Sequence, residues 1–406
     1  MGADHNTHNR REQGRMAKDL WQTRACAFCH HVNFKPGNTM SQSVDALFRP
    51  WDFKGLNLAN RIVMAPMTRS KSPGQVPGPE VAAYYRRRVE GGTGLIITEG
   101  TTVDHPVASN DVNIPAFHGK AALDGWAHVV SEVHAAGGKI MPQIWHTGTM
   151  RRQGEGPNPD LPSAGPSGLA KPGKKVGEPM TDADIDAAVD AFGRAAADAK
   201  RVGFDGVEIH GAHGYLIDTF FWDGTNARND AFGGDTAKRT RFGADIVRAC
   251  RAATGPDFPI VLRFSQWKQQ DFTARMALTP GELETFLTPL AAAGVDIFHC
   301  SNRRFWEPEF EGSDMNLAGW TKKITGKPTI TVGSVGLNED FIAAFKGVPA
   351  GVADFGNLIT MFERGDFDLV GVGRALLVDP EWTNKIRDGR LSELKPYAAE
   401  SLAFLS

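Results

Sequence analysis

Two histidines and a tyrosine fall within a span of six residues in the segment GFDGVEIHGAHGYL, at His210, His213 and Tyr215. The run GVEIHG that leads into them is short, apolar and bounded by glycine, the pattern of a strand buried on both faces, so the three rings come where a buried strand gives out. Three readings of the pair are open. As zinc ligands, His210 and His213 want a third protein ligand and a fixed spacing; Gly211 and Gly214 work against a helix, and no H-E-x-x-H or cysteine cluster stands beside them. As structural histidines they cap the strand by hydrogen bonding. As donors they present two N–H groups to a substrate oxygen on which negative charge develops. The third reading needs an acid. Tyr215 supplies one, because a phenol with an ordinary pKa of about 10 is protonated at neutral pH and can deliver a proton to a strongly basic carbon.

Other short apolar runs end in polar or small residues of equally definite chemistry. RIVMAPM (61–67) ends at Pro66 and Met67 and is followed by Thr68; GLIITEG (94–100) closes on Glu99 and Gly100; KIMPQIW (139–145) holds Gln143 and Trp145; IVLRFS (260–265) holds Arg263. PTITVG (328–333) and FDLVGVGR (367–374) end in Gly333-Ser334 and Gly373-Arg374, small residues that let backbone N–H groups approach an anion, with one fixed cation beside them. Together these ends describe a phosphate grip on one side, hydrogen-bonding groups (Thr68, Gln143, Arg263) in the middle and the His-His-Tyr cluster opposite, an arrangement suited to a bound organic cofactor.

The elements that must position these residues are eight such runs, the seven above, GVEIHG (206–211) among them, being joined by VDIFHCS (295–301). Between them lie helical patterns such as AALDGWAHVVSEVHAAGG, DADIDAAVDAFGRAAADAKRVG and PGELETFLTPLAAAG, the last opening with Thr279 as N-cap before Pro280. Strands alternating with helices predict a parallel sheet, and a single (β/α)8 TIM barrel accommodates the count. A doubly wound open sheet is the rival; the G-x-G-x-x-G that it would place after its first strand is missing. In a barrel the C-terminal strand ends form the active face, which is where the residues above fall. The Gly- and Pro-dense stretch from Thr147 to Pro179 is longer than an ordinary loop and is expected to be a functional lid.

Composition narrows the function classes. The 45 basic residues nearly balance the 47 acidic ones and no long single-sign run occurs, which argues against nucleic-acid binding. No apolar run is long enough to span a membrane and the polar first twenty residues hold no apolar signal region, so the expectation is a cytoplasmic protein. Four cysteines in 406 residues do not make a disulfide framework. Residues 1–44 lack helical or strand periodicity and are expected to be a poorly structured extension, with the barrel over 45–406. Within that leader, Cys26, Cys29, His30 and His31 formally match C-x-x-C-H and leave haem or zinc open as alternatives to an unstructured leader; in the barrel, no metal is expected.

The motifs LFRPWDFKGLNLANRIVMAPMTRS, GLIITEGT, PQIWH, GVEIHGAHGYLIDTFF, NARNDAFGG and VGVGRALLVDPEW together resemble, in that order, the old yellow enzyme family of flavoproteins, from about Leu47 to Trp382. The resemblance implies non-covalent FMN, NADPH or NADH as hydride donor, and reduction of activated C=C bonds in α,β-unsaturated carbonyls or nitroalkenes. It implies that Pro66, Met67, Thr68 and Gly100 lie against the flavin, that Gln143 meets its pyrimidine edge and Arg263 its N1/O2 side, and that Gly333, Ser334, Gly373 and Arg374 hold the phosphate. His210 and His213 then correspond to the pair that holds the substrate oxygen, Tyr215 to the proton donor and Trp145 to a pocket wall. Asn226, Arg228, Asp230, Gly233 and Gly234 correspond to a structural support for neighbouring loops. Two stretches depart from the family pattern: His146-Thr147-Gly148-Thr149, where many relatives read H-x-G-R, and FSQWKQQDFTARM after Arg263. An amine dehydrogenase or demethylase on the same barrel, and a flavin- or ligand-binding module without turnover, are the competing functions.

Overall fold

A computed structural model describes residues 43–340 and 348–406. The Cys26, Cys29, His30 and His31 cluster and the expected leader up to residue 42 lie outside the described residues. The first described turn, Val44–Phe48, is capped by the Ser43 hydroxyl, which accepts from Asp45 N at 3.1 Å, and it buries Leu47 completely.

All eight expected strands close one parallel barrel in sequence order: β1 (Ile62–Met64), β2 (Leu95–Thr102), β3 (Lys139–Trp145), β4 (Val207–His213), β5 (Ile260–Lys268), β6 (Ile297–Ser301), β7 (Thr329–Val332) and β8 (Leu369–Val372), with β8 pairing back onto β1. Helices α1 (Pro79–Glu90), α2 (Lys120–Ala135), α3 (Asp182–Val202), α4 (Arg241–Thr254), α5 (Pro280–Ala293), α6 (Leu317–Thr325), α7 (Gly356–Glu363) and α8 (Arg374–Val378) alternate with them. Thr279 caps α5 as expected, its side chain accepting from Glu282 N at 3.2 Å. Thr181 closes a reciprocal capping box with Asp184 at the start of α3. Among the described residues no helix is long and apolar enough to cross a membrane.

Strand boundaries differ from the apolar runs in instructive ways. β1 is shorter than RIVMAPM, because Pro66 has no N–H to continue the ladder and the chain leaves the sheet after Ala65. β4 and β5 overrun their expected ends to His213 and Lys268, with a register irregularity between Gly211 and His213.

Alternation along the strands builds the site's floor. Ile209, Leu262, Phe264 and Phe298 belong to the larger core that the helices cover. The opposite faces, Val63, Leu95, Ile97, Met141, Val261, Ile297, Ile330 and Leu369, fill the barrel interior together with Leu56 and Leu58 of an N-terminal hairpin. One step further along those interior faces the residues turn polar: Gln143, Glu208, Arg263 and His299, all buried. The apolar layer thus plugs the barrel from below, and the polar layer forms the base of anything bound at the C-terminal ends of the strands.

Candidate active site

The polar layer is tied across the barrel by pairing register, which sets Gly100 beside Gln143, Gln143 beside Glu208, and His210 beside Arg263 and Arg263 beside His299. Gln143 Nε2 donates to Glu208 Oε1 at 2.7 Å, and the other carboxylate oxygen lies 2.6 Å from His299 Nδ1. Arg263 is buried; desolvation pulls its pKa down, opposed by the charge of Glu208 and by Tyr215. Its NH2 reaches Ser301 Oγ at 3.5 Å, while Nε is buried without a hydrogen-bond partner among the described residues. A buried donor left unpaired marks a place where a polar group is missing from the protein's own atoms.

Above this layer stand the three residues of the GVEIHGAHGYL segment, brought together as expected. The rings of His210 and His213 are perpendicular with centroids 5.2 Å apart, and Tyr215 meets His210 edge-on at 5.0 Å and Trp145 at 4.8 Å. Desolvation, then the nearby Arg263 charge, drives both histidines well below the usual imidazole pKa, so both are neutral at pH 7. Their tautomers follow from their neighbours. His210 Nδ1 accepts from Ala212 N at 3.3 Å, which leaves its proton on Nε2. His213 Nε2 lies 2.8 Å from Ser301 Oγ, which also faces Arg263 NH2 at 3.5 Å; with the serine as donor to Nε2, His213 carries its proton on Nδ1. The pair offers one N–H each.

His213 reaches this position through a left-handed backbone (φ 67°), costly for a residue with a side chain. What holds it is the segment that fits no family pattern. Ser265 Oγ accepts from His213 N at 3.0 Å, and Trp267 stacks on the His213 ring at 4.4 Å. Gln269 Nε2 donates to Tyr215 Oη at 2.9 Å, and Gln270 Nε2 to Gly214 O at 2.9 Å. Underneath, Lys268 Nζ pairs with Asp218 Oδ1 at 2.6 Å, both side chains fully buried, and Asp218 Oδ2 accepts from Gly214 N at 2.6 Å. Burial raises the Tyr215 pKa more than Gln269 and Arg263 lower it, so the phenol keeps its proton at neutral pH.

On the other side, Thr68 is exposed and Pro66 and Met67 are half-buried. Their loop is pinned by Glu99, whose Oε2 accepts from Arg69 N at 2.8 Å and Ser70 N at 3.2 Å. Gly100 is forced to be glycine: an added Cβ would sit 2.6 Å from Trp145 Cε3. Trp145 Nε1 is a second buried donor without a partner among the described residues.

Gly333, Ser334, Gly373 and Arg374 meet at the ends of β7 and β8. A Cβ on Gly333 would fall 2.7 Å from Asn302 O, and Ser334 adopts a left-handed φ of 54°. Arg374 NH2 lies 3.3 Å from Ser334 Oγ and also donates to Glu339 O, while NH1 donates to Asp340 O at 3.0 Å. These carbonyls aim the guanidinium at the strand ends. A small cavity of about 70 Å³ borders Trp267, Ser301 and Arg303 on this side; a larger one of about 500 Å³, lined by Lys71, Arg87 and Phe404, carries none of the strand-end groups.

Glu208, His299, Ser301, Trp267 and Gln269 are participants that the motif reading passed over. Two of them carried a signal: Glu208 sits two residues before His210, and His299 is a polar residue within a buried strand, so strand alternation aims both inward. In the support motif, Asn226 Nδ2 donates to Phe220 O and Phe232 O, each at 2.8 Å. Arg228 joins Asp230 to the carbonyls of Pro166 and Met180, tying the long insertion to the loop after β4. No group of three metal-binding side chains occurs among the described residues.

Residues 46–393 match the family described as the NADH:flavin oxidoreductase / NADH oxidase family. The chain is 35% identical over 361 residues to an NADH oxidase of Thermoanaerobacter brockii, an alignment that covers 86% of this chain and 52% of that protein, so the chain spans about half the length of this relative. It is 32% identical over 341 residues to the putative 12-oxophytodienoate reductase 2 of Oryza sativa subsp. japonica, covering 82% of this chain and 85% of that one. Among solved structures, morphinone reductase in complex with tetrahydroNAD superposes with a TM-score of 0.74 at 26% identity, over 88% of this chain and 94% of that one.

Proposed function

Since the chain belongs to the NADH:flavin oxidoreductase / NADH oxidase family, the old yellow enzyme family that its motifs resemble, we propose that it is an FMN-dependent NAD(P)H oxidoreductase that reduces activated C=C bonds of small-molecule enones and nitroalkenes. The observation that carries this reading is the meeting of two neutral histidines, each with one N–H, and a protonated phenol over a polar barrel layer with unpaired donors.

The residues present fit FMN. Gln143 and Arg263 are the polar groups for the ring's pyrimidine side, Pro66, Met67, Thr68 and Gly100 the wall against it, and Gly333, Ser334, Gly373 and Arg374 the phosphate grip. The buried Arg263 Nε, without a partner among the described residues, accords with a polar group of a ligand bound there. When bound, FMN supplies the hydride that the alkene takes up and regains it from NADH or NADPH. The chain's own work is different. His210 Nε2–H and, with Ser301 donating to Nε2, His213 Nδ1–H hold the carbonyl or nitro oxygen and stabilise the negative charge that gathers there. Trp145 walls the pocket and fixes the Tyr215 ring. Tyr215 holds a proton at Oη for the α-carbon of the substrate; Gln269 donates into the phenol oxygen, which turns the phenolic hydrogen away from it.

Steady-state turnover of a cyclic enone and of a tertiary amine, each measured with NADPH, NADH or an artificial acceptor as the direction requires, tests the reading. Enone reduction without amine oxidation is expected. Amine oxidation alone would assign the site to C–N dehydrogenation, and turnover of neither would leave a binding module.

A further inference from the structure

We propose that Glu208 is a positioning residue that determines which end of the Gln143 carboxamide faces the cofactor, so that the amide oxygen, and not its NH2 group, is left to bind there. The inference rests on the FMN reading above.

Glu208 and His299 are fully buried on the barrel's interior face, and among the described residues their side chains hydrogen-bond to none of His210, His213 and Tyr215. One carboxylate oxygen takes Gln143 Nε2 at 2.7 Å; the other takes His299 Nδ1 at 2.6 Å. A carboxylate only accepts hydrogen bonds, so the atom of Gln143 that faces it must be the nitrogen, whichever way the amide is drawn. The terminal amide torsion of glutamine is otherwise broad and nearly two-fold, with little to separate the two orientations. The charge-assisted bond selects one of them. It commits an N–H of Gln143 downward and leaves Oε1 as an acceptor. An imide N–H is the complementary group, and the pyrimidine edge of an isoalloxazine presents one such donor, N3–H, between two carbonyl oxygens. With NH2 turned up instead, Gln143 would seek the carbonyls and leave N3–H unpaired. His299 braces the carboxylate from its other side, so that it cannot swing away from Gln143.

The test compares binding of FMN and of its N3-methylated analogue to the apoprotein, followed by flavin fluorescence. In the wild type the analogue should bind at least about tenfold more weakly than FMN, the worth of one hydrogen bond plus the added methyl group. Glu208→Gln keeps the size of the side chain but can donate as well as accept, which frees the Gln143 amide to turn over. The methyl group is the same in both proteins, so the change in the FMN-to-analogue ratio isolates the hydrogen bond; that ratio should fall severalfold in the variant. An unchanged ratio overturns the inference. Should Glu208→Gln fail to fold, wild-type protein loaded with FMN labelled with 15N at N3 gives the answer: a slowly exchanging, hydrogen-bonded N3–H supports the assignment, and an N3–H exchanging as in free FMN overturns it. A folded wild-type protein that takes up neither flavin overturns the cofactor reading and this inference with it, whereas uptake of both with equal affinity overturns this inference alone.

Discussion

Replacing Tyr215 with phenylalanine removes one hydroxyl and leaves the ring. The edge-on contacts at 4.8 Å to Trp145 and 5.0 Å to His210 are made by ring carbons, so they survive. What is lost structurally is a single hydrogen bond from Gln269, a half-buried side chain that can turn to water, worth roughly 1 kcal/mol of stability. What is lost chemically is larger, since a positioned general acid contributes about 10²- to 10⁴-fold, or roughly 2.7 to 5.5 kcal/mol of barrier. The two costs differ enough to be separated. Reduction of the bound flavin by NADPH requires no proton on carbon and should be nearly unchanged. Reoxidation by a cyclic enone leaves an enolate whose α-carbon must be protonated, and it should slow by the full factor. A nitroalkene supplies the control, because its product is a stabilised nitronate that leaves without protonation and meets water's proton later. Stopped-flow absorbance of the flavin with each oxidant measures both rates. Equal losses on enone and nitroalkene would show that Tyr215 shapes the pocket and delivers no proton.

Three further outcomes follow from the site's neighbours. Burial raises the Glu99 pKa from 4.5 to about 7, so the folded chain holds a proton that the unfolded chain has released; stability should fall by up to roughly 3 kcal/mol as pH rises from about 4.5 to 7 and then level off. Glu99→Gln, which can still accept from Arg69 N and Ser70 N, should remove that slope in urea melts across the window, while Glu309, also raised to about 7 by burial, affects both proteins alike. Lys268→Met strands the buried Asp218 charge and should cost about 3 to 5 kcal/mol in urea unfolding, and Lys268→Met with Asp218→Leu should recover most of it; no recovery would mean that the pair is not what secures the His213–Tyr215 turn. His210→Ala and His213→Ala should each slow enone turnover by a factor worth about 3 to 4 kcal/mol while FMN stays bound, and unchanged kcat/KM in both would leave the pair structural.

The barrel was legible because its signals are local. Each strand announces itself by a short apolar run bounded by glycine, proline or polar residues, and β2 to β8 all arise within or around the runs that predict them. The His-His-Tyr cluster was legible for the same reason, being written within six residues at the end of one strand. Groups that meet only when the barrel closes were not. Glu208 and His299 lie 91 residues apart, and Gln143 and Glu208 65 apart; their pairing depends on register across four strands. Alternation placed them inward, but no local pattern says which inward residues touch. The segment after Arg263 was not legible for another reason. The run IVLRFS ends at Ser265, yet β5 continues through Gln266, Trp267 and Lys268, because Lys268 finds a buried carboxylate in Asp218 and Trp267 a ring to stack on in His213, tertiary partners that override the sequence's polarity. The proline that ends β1 is the reverse case, a local effect visible in the sequence that the apolar run RIVMAPM disguised.

The most direct test of the account is an anaerobic titration of the purified chain reconstituted with FMN. The account predicts that the protein retains one flavin per chain through gel filtration, that NADPH or NADH bleaches its visible absorbance, and that one equivalent of a cyclic enone restores it with formation of the saturated ketone. A folded protein that takes up no FMN, or whose reduced flavin is left bleached by enone and nitroalkene alike, would contradict it.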